Sequence, residues 1–590
     1  MSEQINEQLE TTGVLWNLTD LYQSVDDPAI ADDLAFCEEE AALVRESFAG
    51  RLAELEPAVF ARLVRRLERI DSFMGRISTF AFLNFTTQIK NAEAGAFLQR
   101  IKEAASRVAR ETVFFELEWS KMAEESARLF LDSPETAHYH HYLATIRRYA
   151  PHMLSREEET LLIEIAPVGR SSWINLFEKV LGHIQFGPNK RTEEEVLSDL
   201  YSPEREVRRR AAAELTEGLA GQLHILTHIF NTLLADKMIS DRLRSYPAWI
   251  SSMNLANELE ERTVEALTGA VTSRYDIVQR YYRLKKELLG LDELRDYDRY
   301  APLPHLPGAT VGWPQCREMV LGGLRAFSPK MAEIASFFFD RNWIHAPVGE
   351  GKRGGAFAHP CVPEVHPYVM VNYTGNIRDV STVAHELGHG VHQYLAARTG
   401  YYNSNTPLVL AETASVFAEL LIFHDQLAAL TEARERKAFV CQKLESIFAT
   451  VFRQVSMNRF EHLVHTARRE KGELADAELA ELWFATQQEM FGDSVSLTDN
   501  YRIWWSYIPH FLHSPGYVYS YAFGELLVLA LYRLYQLDKE NFVPRYLHLL
   551  AQGGSLSPYE LVKPFGVDLD DPDFWQGGLA LIDDMLRSIE

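Results

Sequence analysis

Cysteine is scarce in this chain: four in 590 residues, Cys37, Cys316, Cys361 and Cys441. They are too few and too far apart for a disulfide framework or a cysteine-based zinc site, so a reducing, cytoplasmic compartment is expected. Basic charge is short as well. Lys plus Arg total 59 against 83 Asp plus Glu, a net charge of −24 that repels phosphate backbones and anionic lipid. Neither nucleic acid nor a membrane is an expected partner. The opening MSEQINEQLETTG has acidic residues where a secretory signal needs a basic region and an apolar run, so no export is expected. Long uncharged apolar runs are missing too. The best candidate, YVYSYAFGELLVLALYRLY at 517–535, contains Glu525 and Arg533 and is rich in tyrosine, which reads as a buried core helix. No Gly/Ser-rich or Pro-rich linker separates independent units, and one compact molecule is expected.

What is present is mostly helical period. Segments such as PAVFARLVRRLERIDSFMGRISTFAFLNF and EREVRRRAAAELTEGLAGQLHILTHIFNTLLADKMI place apolar residues three and four apart with charges between them, the pattern of core-facing helices. The aromatic and basic QRYYRLKK has the same spacing and reads as core plus solvated rim. Periodicity breaks near residues 190–203, around Pro188 and Pro203. There the N-terminal helical region (1–195) is expected to join a catalytic body (196–590). A second break, at 296–314, has four prolines and reads as loop. GKRGGAFAHP and HPYVMVNYTG then read as extended, predicting a small sheet just before the next helix.

That helix carries STVAHELGHGVHQYL at 381–395. Residues i and i+4 lie about 40° apart around a helix and about 6 Å apart along it, so His385 and His389 share one face and can grip one ion. Zinc accepts neutral imidazole and, in catalytic sites, keeps three protein ligands and one open position. Glu386 stands beside the pair as a general base. Asp379, Ser381 and Thr382 are the N-cap candidates, and Val380, Val383, Ala384, Leu387 and Val391 give the apolar face. Gly388 and Gly390 weaken a helix by about 1 kcal/mol each, which predicts close approach of another backbone or of substrate. LAETASVFAELL, at 410–421, offers the third ligand: Glu412 is expected to bind the metal and Glu419, seven residues on, to orient an imidazole. His392 competes by spacing alone, although a core or solvent-facing histidine is commoner. His138, His140 and His141 lack a carboxylate at ligand spacing and read as a surface or interhelix feature.

Farther on, YIPHFLHSPGYVYSYAFGE concentrates His510, His513, Tyr517, Tyr519 and Tyr521. Such donors either stabilise the oxyanion formed when water attacks a peptide carbonyl or pack as an amphipathic tyrosine face.

Taken together, WNLTDLY, YDRYAPL, GKRGGAFA, VNYTGNIRDVSTVAHELGHGVHQYL, AETASVFAELL and PHFLHSPGYVYSYAFGELL resemble the oligoendopeptidase F branch of the thimet oligopeptidase and neurolysin superfamily, over nearly the whole chain. The resemblance implies a mainly α, two-lobed, zincin-like body around a deep substrate channel, with a small β-sheet beside the zinc helix. It implies one Zn2+ held by His385, His389 and Glu412, with Glu386 as base. It also implies transition-state stabilisation by His510 or His513 with Tyr517 and Tyr521. HFLHSPGYVYSY is shorter than the thimet pattern, which leaves open which histidine and which tyrosines act. Val416 stands where thermolysin-like enzymes carry an aspartate, which disfavours that fold.

The expected function is a zinc-dependent metalloendopeptidase that cuts short unstructured oligopeptides with a zinc-activated water. A metallocarboxypeptidase of similar fold is the alternative, with a non-catalytic peptide-binding protein and a non-haem iron oxygenase behind it.

Overall fold

A computed structural model describes residues 2–166, 168–304 and 310–590. The chain folds into two compact units, each assembled from segments distant in sequence. Residues 1–150, 307–429 and 534–567 form the first; 151–306, 430–533 and 568–590 form the second. The periodicity break at 190–203 lies inside the second unit. Among the described residues no helix is long and apolar enough to cross a membrane.

In the first unit, α1 (Pro57–Thr86) begins with proline at its first position, where the missing N–H costs nothing. It buries Phe60, Leu63, Leu67, Ile70, Met74, Ile77 and Phe80, and the 3.6-residue period that aligns them builds one side of a large apolar core. Several helices later comes α2 (Pro329–Asp340), then three short strands: β1 (Ile344–His345), β2 (Phe357–His359) and β3 (Tyr368–Met370). Their order is β1-β3-β2, with β1 parallel and β2 antiparallel to the centre. Val369 pairs with Ile344 on one side and Ala358 on the other, and the central strand is wholly buried. Two residues of β1 are too few to show a period, so the sequence predicts only β2 and β3. Lys352, from the GKRGGAFA motif, ties the sheet's end by donating from Nζ to the carbonyls of Val371 (2.6 Å), Pro347 (2.8 Å) and His345 (3.3 Å). Burial holds its pKa down at about 7.

The sheet leads into α3 (Ile377–Ala396). Asn376, not Asp379, Ser381 or Thr382, is the N-cap: its Oδ1 accepts the Asp379 N–H at 3.0 Å in a reciprocal capping box. Asp379 Oδ2 also accepts from the N–H and hydroxyl of Thr374 at 2.7 and 2.8 Å. α3 packs along α5 (Thr413–Ala429), which the one-turn α4 (Leu408–Ala411) precedes.

The second unit is built around the helix Arg205–Leu243 and a separate core that includes Phe230, Phe460, Trp483, Trp504 and Phe511. It also contains α6 (Phe452–Lys471), the one-turn α7 (His510–His513) and the start of α8 (Tyr519–Leu537), the core helix expected from the apolar run. The proline-rich stretch 296–314 opens with a 3-10 turn at Asp296–Asp298 and ends where a helix begins at Trp313; its residues 305–309 lie outside the described residues.

Candidate metal centre

On α3, His385 and His389 stand one turn apart with ring centroids 4.9 Å from each other. Glu412 meets them from the break between α4 and α5, where the backbone interrupts its helix for one residue. Its Oε2 lies 3.3 Å from His385 Nε2 and 3.5 Å from His389 Nε2. Two donors each about 2.1 Å from a tetrahedral ion are separated by about 3.4 Å, so the carboxylate-to-imidazole spacings are those of ligands to one small cation. Among the described residues this is the one cluster of three or more His, Cys, Asp or Glu side chains whose donor atoms converge so, all within 4.8 Å of each other. The donor set, two nitrogens and one carboxylate oxygen, suits zinc.

Each of the three side chains is held by a second contact. Glu419 Oε2, two turns along α5, is 3.4 Å from His385 Nδ1, which directs the other ring nitrogen toward Glu412. The His389 ring N–H donates to the Ala411 carbonyl. Ser415 donates its hydroxyl to Glu412 Oε2 at 2.8 Å. The Ala411 and Ser415 contacts do not follow from the histidine spacing; the E-x-x-S interval from Glu412 to Ser415 is the one sequence signal that could have suggested the latter.

The electrostatics follow from burial set against opposite charge. Burial depresses His385, but the Glu412 and Glu419 carboxylates outweigh it and raise the imidazole to about 10. His389 goes the other way, to about 4, because burial and the His385 charge exceed the attraction of Glu412. Burial alone would raise Glu412, yet hydrogen bonding from His385 and the charges of both histidines hold it at about 2. Glu386 is 7% exposed. Burial, reinforced by Glu412, lifts its carboxyl to about 7 against the His385 charge and an N–H from Ala358. That N–H comes from β2, an outer strand of the sheet, so the strand borders the glutamate.

His392 is not in the cluster. It is 4% exposed, burial drives its pKa down to about 3, and its Nε2 lies 3.4 Å from the Thr406 hydroxyl.

The second unit holds the other expected group. His510 Nε2 is 3.3 Å from the Tyr521 hydroxyl, and the Tyr517 and Tyr521 rings meet edge to face at 5.0 Å. Burial lowers the His510 pKa, with the charges of Arg453 and His513 adding to it. His513 points elsewhere: its Nε2 is 2.7 Å from Glu178 Oε1, and its side chain is 43% exposed. Tyr519 is buried, its hydroxyl taking an N–H from Asn257 at 2.9 Å.

Two family sequence patterns match the chain: peptidase family M3 over residues 330–581 and oligopeptidase F over 118–186. The chain is 27% identical over 557 residues to oligopeptidase PepF of Bacillus subtilis (strain 168), covering 92% of this chain and 82% of that protein. Its fold is similar to that of a candidate peptidase from Chlamydophila abortus, with a TM-score of 0.86, 24% identity and 98% of each chain covered. It is also similar to oligoendopeptidase-F from Enterococcus faecium, with a TM-score of 0.70, 21% identity and 95% and 96% of the two chains covered.

Proposed function

Because the chain belongs to peptidase family M3, on its oligoendopeptidase F branch, and is thereby a peptidase of metallo type, we propose that it is a zinc endopeptidase acting on oligopeptides. The observation that carries this reading is the position of Glu412 Oε2, 3.3 and 3.5 Å from the facing imidazole nitrogens of His385 and His389, with Glu386 next in sequence to the first. The substrate class follows the names of the relatives, oligopeptidase and oligoendopeptidase.

His385, His389 and Glu412 would hold the ion. When bound, zinc supplies Lewis-acid polarisation of the scissile carbonyl and makes a water acidic enough to attack near neutral pH. Everything else falls to the chain itself. Glu386 takes the proton from the attacking water and delivers it to the nitrogen of the leaving amine. A carboxyl placed beside the site can accept a proton and return it. Glu419 fixes the tautomer and ring orientation of His385, Ala411 does the same for His389, and the Ser415 hydroxyl orients the Glu412 carboxylate.

Oxyanion stabilisation is assigned to His510, Tyr517 and Tyr521, which form one hydrogen-bonded and edge-to-face group. His513, occupied with Glu178, is left out.

Mass spectrometry of products from end-blocked peptides and from a mixed peptide library, with and without chelator, tests the reading. Internal cuts that stop on chelation and return with zinc are expected. Removal of C-terminal residues alone would mean a carboxypeptidase, and binding without cleavage would mean a peptide carrier.

A further inference from the structure

The turn that connects α7 to α8 carries Tyr517 between His510 and Tyr521, and it is fastened from beneath by a carboxyl that the proposed chemistry does not use. Glu461, on α6, is 1% exposed. Its Oε1 accepts the backbone N–H of Gly516 at 2.8 Å, a contact buried in the second unit. Gly516 has φ +81°, a conformation that disfavours any side chain, so the turn is defined at the residue just before Tyr517. The following residues are fastened as well: Asn257, fully buried, donates from Nδ2 to the Tyr519 hydroxyl and to Ser520 Oγ, both at 2.9 Å. Ser520 N–H closes the turn on the Tyr517 carbonyl at 2.9 Å.

The floor beneath this turn is closely packed. Trp249 stacks on His465, one helical turn beyond Glu461 on α6, with centroids 4.7 Å apart and planes 13° from parallel. Trp249, Ile250 and Met253 lie 3.4–3.5 Å from where a Gly516 side chain would begin. Burying a carboxyl this completely is costly unless it does something specific, and burial raises the Glu461 pKa to about 8, against the Gly516 N–H and the Lys237 charge. An apolar residue of the same size would fill the space without that cost. What it could not do is accept the Gly516 N–H.

We propose that Glu461 is a positioning residue for the proposed peptidase reaction: by accepting the Gly516 N–H it fixes the turn that places Tyr517 and, through it, the His510–Tyr521 pair. The inference rests on the assignment of those three side chains to oxyanion stabilisation. Glu461 touches no substrate in this reading; its effect runs through the geometry of the turn.

The test compares Glu461→Met, which keeps the bulk and loses the acceptor, with Glu461→Gln, which keeps a neutral acceptor oxygen. Steady-state kinetics on an internally quenched peptide, zinc content and Tm are measured for each. Glu461→Met is expected to lower kcat at least tenfold with KM changed less than threefold and zinc retained, and Glu461→Gln to restore kcat to within threefold of the parent. Tyr517→Phe and Tyr521→Phe, alone and combined with Glu461→Met, complete the set. If Glu461 acts through Tyr517, the double variant loses less than the product of the two single losses. Parental kcat in Glu461→Met, a Glu461→Gln enzyme as slow as Glu461→Met, or fully multiplicative losses would each overturn the positioning role. Should Tyr517→Phe and Tyr521→Phe both keep parental kcat, the oxyanion assignment itself fails and the inference with it. Losses in those two variants beside a parental Glu461→Met would sink the positioning role alone. Because Glu461→Gln is nearly isosteric, its result stands even if Glu461→Met does not fold.

Discussion

Gly388 of α3 lies in backbone contact with Ser415 of α5. A methyl group built on Gly388 would stand 2.5 Å from Ser415 Cα and 2.5 Å from the Ala414 carbonyl oxygen, distances at which the helices must move apart. α3 carries both histidines, and α5 starts at the residue after Glu412 and carries Ser415 and Glu419, so this contact sets how near Glu412 and Glu419 come to the histidines. Gly388→Ala is expected to cost about 3 kcal/mol or more and to reduce bound zinc, read by Tm and by metal content after gel filtration. A variant with parental Tm and full zinc would show that the helix spacing does not control the site.

Glu386 should separate metal binding from chemistry. Glu386→Gln keeps the shape and removes the base, so it is expected to retain zinc while kcat falls about 1,000-fold. Metal analysis and peptide cleavage on the same preparation check both halves. Cleavage at the parental rate would exclude Glu386 as the base.

Glu419 acts through His385, at 3.4 Å from its Nδ1. Glu419→Gln is expected to weaken zinc about 10- to 100-fold, measured by competition with a chromophoric chelator. Unchanged affinity would leave the carboxylate without an orienting role. His392→Asn is the matched control: it removes an imidazole outside the cluster, and zinc stoichiometry should not change.

Sequence pattern and fold agree most closely where local period and buried face coincide. Helix, sheet and the His-Glu-x-x-His face were legible because each is written within a few residues, and Gly388 was legible as a question because a glycine on an apolar helix face needs a neighbour's backbone to explain it. What lay beyond the sequence was set by contacts between distant segments. Glu412 reads as one position on a continuous helix, yet it sits where α4 ends and α5 starts, and the Tyr546 hydroxyl donates to the Thr413 carbonyl at 2.7 Å from 133 residues away. Asn376 takes the cap because its Oδ1 reaches the Asp379 N–H, a choice that composition alone does not distinguish from Ser381 or Thr382. The interleaving of the two units is likewise invisible to local composition, since each unit draws on three separated stretches. His510 and His513 look alike in sequence, and only their partners, Tyr521 and Glu178, tell them apart.

The turn that leads to Glu412 carries a pH signature. Asp71, on α1, accepts the Tyr402 hydroxyl at 2.6 Å. Burial raises its carboxyl from the usual 3.8 to about 6, with Glu116 and Glu68 pushing the same way against the Tyr402 hydrogen bond. The folded chain therefore holds this proton where the unfolded chain has released it. The stabilisation from that proton is fully present below about pH 4 and lost as pH rises through about 6. Asp71→Asn removes the titration and should gain on the parent across that window by about 3 kcal/mol, read as a Tm difference that grows from pH 4 to 6.5 and then levels. A difference independent of pH would assign the Asp71 proton no role in stability.

The central claim, that His385, His389 and Glu412 converge on one zinc, is tested most directly by X-ray absorption at the zinc edge on the purified protein, calibrated by metal stoichiometry. One zinc per chain is expected, with nitrogen and oxygen neighbours at about 2.0–2.2 Å and the multiple-scattering signature of two imidazoles. A sulfur shell at about 2.3 Å, or a single imidazole in the fit, would contradict it.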